Sequence, residues 1–185
     1  MLNELPRYDF LQEIAKTQQG IDSAACDLFL DILRTGGAVS SLEASYLGAH
    51  KITPGRFAVM LLLGIDESIV RKPSELAEMI GVTRATMTGL LDTLERDNYV
   101  GRTLDPTDRR SMRVVSTPEC RDLLKKVLPG YFHLISTLSA TLTSEEQAEF
   151  RRLTAKIQAG LAKEEKSSDP SVSVQDASAT TVAYA

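Results

Sequence analysis

Tryptophan is absent from this 185-residue chain, and aromatic residues make up only 5% of it. A core without aromatic bulk has to be aliphatic, which favours helices that carry Leu, Ile, Ala and Met on one face. Cysteine is scarce: Cys26 and Cys120 make neither a disulfide framework nor a CxxC metal clamp. His50 and His133 are isolated and lack partners at ligand spacing, so no metal and no cofactor is expected. No nucleophile–base pair, phosphate-cradling loop or carboxylate pair stands out, which argues against an enzyme. The longest apolar stretch, Phe57 to Ile65, is too short to span a bilayer. The opening "MLNELPRYDFLQEIAKTQQG" is interrupted by Glu4, Arg7, Asp9 and Glu13 and does not read as a signal peptide. The expected setting is therefore cytoplasmic, with no membrane partner. Positive charge is not in surplus either. A formal net charge of −4 and a pI near 5.3 exclude a protein that is basic all over. Nucleic-acid binding still remains open, because it follows the local face and not the sum.

With 43% hydrophobic residues, the chain can bury one real core, or a globular domain plus an extended assembly surface. Asp22 to His50 reads as a helix with a loose apolar face, weakened at Gly36-Gly37. A second helix starts near Thr53 with Pro54 at its first position, and "GRFAVMLLLGI" is apolar nearly all round, as a buried central helix would be. In "KPSELAEMIGVTRATMTGLLDTLERDNYV", Ser74 is placed to cap a short helix that buries Leu76, Ala77 and Ile80. Gly81 then supplies a tight turn and Thr83 caps the next helix, whose Met87, Leu90, Leu91 and Leu94 recur at core spacing. Arg84, Thr86, Thr88, Gly89, Asp92 and Thr93 occupy the opposite side, and Asn98 tolerates the left-handed cap that ends the helix. Two strand-forming runs flank the tip Asp105-Pro106-Thr107-Asp108-Arg109-Arg110, predicting a hairpin. Thr117 and Pro118 open a further helix, which Pro129-Gly130 is expected to kink or break. Thr143 and Glu146 form a capping box for the last helix, with Phe150, Leu153, Ile157 and Leu161 as its apolar stripe. From residue 166 onward the chain shows no face to bury and reads as disordered.

A short helix, a glycine turn and a second helix with small polar residues outside are what a helix-turn-helix requires. Thr86 and Thr88 suit the major groove, since hydroxyls reach base edges or phosphates and the methyl meets a thymine methyl. Arg84 is placed to clamp a guanine or a phosphate. On the hairpin, a solvent-facing tip gains nothing from packing Arg109 and Arg110, whereas a narrow minor groove attracts an inserted guanidinium. The expected division of labour is that Asp108 aims, Arg110 inserts, and Arg102 and Arg113 touch phosphates. Residues 82–116 hold Arg84, Arg96, Arg102, Arg109, Arg110 and Arg113 against Asp92, Glu95, Asp97, Asp105 and Asp108, a surplus of a single positive charge. Specific positioning must therefore contribute more than bulk attraction.

The order helix, helix, helix-turn-helix, Arg-tipped wing and two long helices resembles the MarR family of winged-helix transcription regulators. "DPTDRRS", Asp105 to Ser111, is close to that family's wing signature, and "LAEMIGVTRATMTGLLDTLE" resembles its recognition-helix region. The resemblance covers about residues 22–164. It implies a mainly α fold with a small β-hairpin wing: a winged helix-turn-helix domain plus N- and C-terminal dimerisation helices. The corresponding division is an N-terminal extension over 1–21, a dimerisation helix over 22–52, the DNA-binding domain over 53–117, dimerisation helices over 118–165 and a tail over 166–185. It also implies a homodimeric regulator, in the repressor sense, that binds a pseudo-palindromic operator in double-stranded DNA and is released by a small aromatic or lipophilic effector. Matching positions place Thr86 and Thr88 in the major groove and Arg110 in the minor groove with Asp108 as its brace. The effector pocket would draw on Phe29, Tyr46, Phe57, Met60 and Tyr131. Two positions depart from the family pattern: Ser116 stands where Leu is usual and Cys120 where Gly is usual, which bears on how the hairpin is anchored.

Two further readings compete. One branch of the family senses peroxides through a cysteine near the start of the first helix, and Cys26 lies in that region. Its surroundings, "SAACDLFLDIL", lack the tyrosines that would hydrogen-bond the sulfur, and Asp27 disfavours a thiolate. The other is an interaction module whose terminal helices bind another protein and whose wing has no role.

Overall fold

The computed structural model describes residues 22–104 and 112–167, with residues 13, 14, 16 and 17 ahead of them. The wing tip 105–111 and the tail 168–185 lie outside the described residues, as does most of the N-terminal extension. The chain divides into two units, the first ending at Phe132 and the second starting at His133.

Helix α1, Ser23–Ala49, begins at Asp22, whose carboxylate accepts hydrogen bonds from the N–H groups of Ala24 and Ala25 at 2.9 and 3.2 Å. It runs unbroken through Gly36-Gly37, and only Leu30 and Leu47 of its residues are buried. Helix α2, Pro54–Gly64, starts as the sequence predicts, with Thr53 Oγ1 accepting from the N–H of Arg56. It supplies the centre of the core through Phe57, Val59, Met60 and Leu63. Gly64 admits the close approach of Leu124, since a Cβ there would collide with that side chain.

A two-residue strand, β1 (Val70–Arg71), comes next. Helix α3, Pro73–Ile80, then begins one residue before Ser74. The expected serine cap is replaced by the Glu75 carboxylate, which accepts from the N–H of Lys72 at 3.0 Å. Helix α4, Arg84–Arg96, follows, and then β2 (Val100–Leu104) and β3 (Met112–Ser116). The hairpin is antiparallel, pairing Val100 with Ser116 and Leu104 with Met112. β1 adds to its other side, giving the order β1-β3-β2. The sequence predicts the hairpin alone, because two residues are too few to show an alternating pattern.

Helix α5, Pro118–Ser139, passes through Pro129-Gly130 without a break, so that half of the expectation is corrected. Proline removes one N–H from the ladder. Gly130 in turn leaves room for the Tyr46 ring, whose hydroxyl donates to the carbonyl of Val127 at 2.7 Å. Helix α6, Ser144–Ser167, carries the expected capping box: Thr143 N–H donates to Glu146 at 2.8 Å and Glu146 N–H to Thr143 at 3.2 Å. The core is aliphatic as the composition requires, and Phe57 is its one fully buried aromatic side chain among the described residues.

Candidate nucleic-acid interface

Helices α3 and α4 are joined by a turn that only a residue tolerant of positive φ can make, and Gly81 makes it at φ 75°. The N–H groups of Gly81 and Val82 both return to the carbonyl of Ala77, closing α3 before α4 begins. Leu76 and Ala77 of α3 and Met87, Leu91 and Leu94 of α4 are buried in the same core cluster. The outer side of α4 is thereby held out to solvent on a rigid support. Thr83 Oγ1 caps α4 by accepting from the N–H of Thr86, and at the other end Asn98 takes φ 61° as expected.

Arg84, in the first turn, and Ala85, Thr86, Thr88 and Gly89 after it are all exposed. Arg84 sits in the first turn, where the helix dipole disfavours a cation but welcomes an anion beside it. Thr86 Oγ1 shares a 2.8 Å hydrogen bond with Thr83 Oγ1, and Thr88 Oγ1 donates to the carbonyl of Arg84 at 2.9 Å. Each residue turns a helix by about 100°, so Thr86 and Thr88 lie on opposite flanks of the outer side. Ala85 and Gly89, one turn apart, form the crest between them.

The wing joins this helix through charge. Arg102 of β2 pairs with Asp92 at 2.5 Å and with Glu95 at 3.5 Å, and its side chain is only 24% exposed. The expected phosphate contact is thus committed to the recognition helix in this conformation. Arg113, opposite Thr103 in the hairpin, is half-buried and engaged within the chain. Asp108, Arg109 and Arg110 lie outside the described residues. At the wing's base, Ser116 is buried, and its hydroxyl and carbonyl both accept from Arg121, each at 3.2 Å. Thr117 Oγ1 donates to the carbonyl of Asn98 at 2.7 Å. The departure from leucine at 116 is therefore met by a polar anchor. Arg56, paired with Asp97 at 2.5 Å and lying 5.8 Å from the Tyr99 ring centre, ties the start of α2 to the end of α4.

Of the expected effector-pocket residues, the structure brings four together. Tyr131 lies 4.8 Å from Phe57 and 6.1 Å from Tyr46, ring centre to ring centre, while Phe57 and Met60 are fully buried in the same cluster. The Tyr131 hydroxyl donates to Glu43 at 2.7 Å, and burial, helped by that carboxylate, pushes its pKa up to about 12. Phe29 stands apart, exposed on α1 beside Leu28, Ile32 and Leu33. Cys26 is half-buried, and Cys120 is fully buried with its pKa raised to about 11 by that burial. Among the described residues, no group of three or more His, Cys, Asp or Glu is placed to hold a metal, and no helix is long and apolar enough to cross a membrane.

Sequence reasoning missed the Arg102–Asp92–Glu95 and Arg121–Ser116 contacts. The first had a signal: Asp92 and Glu95 fall three residues apart on one side of the helix that the wing must approach. The second had none, because a lone serine in a strand does not announce its partner.

Known proteins share this arrangement. A profile of the MarR family matches residues 52–112. The chain is 32% identical over 152 residues to the HTH-type transcriptional repressor YetL of Bacillus subtilis, covering 82% of this chain and 91% of YetL. Among solved structures it is similar to a DNA complex of MepR from S. aureus, with TM-score 0.65, 20% identity and coverage of 71% and 97%. It is also similar to BpsR of Bordetella bronchiseptica, with TM-score 0.61, 20% identity and coverage of 69% and 89%, whose DNA binding is regulated by 6-hydroxynicotinic acid. These two likenesses speak for the fold. The family profile and the match to YetL across most of both chains lead to one conclusion: this protein belongs to the MarR family of DNA-binding transcription regulators.

Proposed function

We propose that the protein is a homodimeric repressor that places α4 of each copy in the major groove of a pseudo-palindromic operator and lets go when a small aromatic or lipophilic effector binds. The observation that carries this reading is the outer side of α4, where short polar side chains are held out by a buried inner face. Thr86 reads or clamps from one flank, and Arg84 and Thr88, one turn apart, from the other. Arg110 of the wing enters the minor groove with Asp108 as its brace, and Arg113 lies along the phosphates. Arg102 serves as a strut between wing and recognition helix.

Dimerisation is supported by large apolar side chains left exposed. In the first unit these are Leu28, Phe29, Ile32 and Leu33 on α1, and in the second Phe150, Leu153 and Leu161 on α6. An effector would meet Tyr46 and Tyr131, the half-buried members of the aromatic cluster, with Phe57 and Met60 behind them.

Selection of bound duplexes from a random pool tests the reading. The expected result is an enriched inverted repeat that takes up two chains, with light scattering giving a dimer before DNA is added. An unenriched pool, or a well-folded monomer at micromolar concentration, would contradict it. For the effector arm, 6-hydroxynicotinic acid and other small aromatic acids are the first compounds to try for release of the enriched duplex.

A further inference from the structure

Gly89 occupies the middle of α4, where glycine is the poorest helix former after proline. Some of the other glycines have reasons within the chain. Gly81 takes positive φ, and Gly64 and Gly130 receive Leu124 and Tyr46 against their α-carbons. Gly89 has neither reason: its φ is not positive, and a Cβ built on it would meet nothing within 4 Å. Gly36, Gly48 and Gly160 share these open surroundings but sit on α1 and α6, remote from the recognition helix in sequence.

Its position on the helix supplies a reason. Gly89 follows Met87 by two residues, so it lies about 200° round the helix from that buried side chain. With Ala85 one turn before it, it marks the line of closest approach for anything that meets the first half of α4 from outside. A helix with its side chains is about 10–12 Å across and the major groove about 12 Å wide, so the height of the crest decides how deep the helix sits. The flanking readers make depth matter, because Thr86 and Thr88 carry short side chains. They touch base edges only if the backbone between them comes close. A longer side chain on the crest would hold both threonines away.

We propose that Gly89 sets the seating depth of the recognition helix, and that the chain keeps a poor helix former there so that Thr86 and Thr88 reach the bases. The inference rests on the DNA-binding reading and adds a residue to it. The test uses the full-length chain, the duplex enriched by wild type from a random pool, and a scrambled duplex of the same composition. Gly89→Ala and Gly89→Leu are better helix formers in open space, so their thermal midpoints are expected to hold or rise. Affinity for the enriched duplex is expected to fall about tenfold for Gly89→Ala, in line with the loss of one base contact, and further for Gly89→Leu, with little change on the scrambled duplex. Unchanged binding by Gly89→Ala, equal losses on both duplexes, or a midpoint that falls would each overturn the proposal while wild-type binding stands. A wild type that does not prefer the enriched duplex would overturn the DNA-binding reading and this proposal with it.

Discussion

Tyr46 is seated where two constraints meet: its hydroxyl has a carbonyl to satisfy on α5, and its ring needs the missing side chain at Gly130. Gly130→Ala should displace the ring and cost about 1–3 kcal/mol, the usual range for overpacking. The same change in a Tyr46→Ala background should cost far less, because nothing remains to displace. A thermodynamic cycle by denaturant unfolding checks this, and additive costs would mean that the glycine serves α5 alone. Tyr131 and Cys120 add a pH signature. Both pKa values are raised on folding, from 10.0 to about 12 and from 9.0 to about 11. The unfolded chain therefore loses these protons first. Their contribution is complete below the unfolded values and is lost as pH rises through 9–11 for the thiol and 10–12 for the phenol. Stability measured across that range should fall in the wild type and flatten over the upper part in Tyr131→Phe.

At the scale of elements, the wing is coupled to the recognition helix through Arg102, and the coupling separates two accounts of that arginine. A phosphate contact predicts that Arg102→Ala reduces the salt slope of DNA binding by about one unit per site. A strut predicts weaker binding with the slope unchanged, since Asp92 and Glu95 are left without their partner beside the DNA. The strut result is expected, and titrations at several salt concentrations distinguish the two. The same contrast shows what was legible in the sequence. Helix starts at Thr53, Thr83, Thr117 and Thr143 could be read from local chemistry, because a cap and its partner lie within three residues of each other. Core positions on α4 followed from periodicity. Contacts across distant stretches, such as Tyr46 with Val127 or Arg121 with Ser116, depend on how elements pack, and neither residue type signals its partner. Helix α3 starts ahead of Ser74 for a related reason: Glu75 satisfies the helix end from inside the first turn, so no serine cap is needed.

For the molecule as a whole, two kinds of surface follow from one economy of residues. An aliphatic core built on α2 supports α4, while α1 in the first unit and α6 in the second carry exposed apolar side chains. On the proposed reading, fixing α4 would let a short threonine read sequence, since a mobile helix would spread its contacts over many registers. The most direct measurement is the affinity of Thr86→Ala, against wild type at fixed salt, for the duplex enriched from a random pool and for a scrambled one. A lost base contact predicts weakening by about 1–3 kcal/mol on the enriched duplex, no change on the scrambled duplex and an unaltered thermal midpoint. Equal weakening on both duplexes, or none on either, would contradict the account.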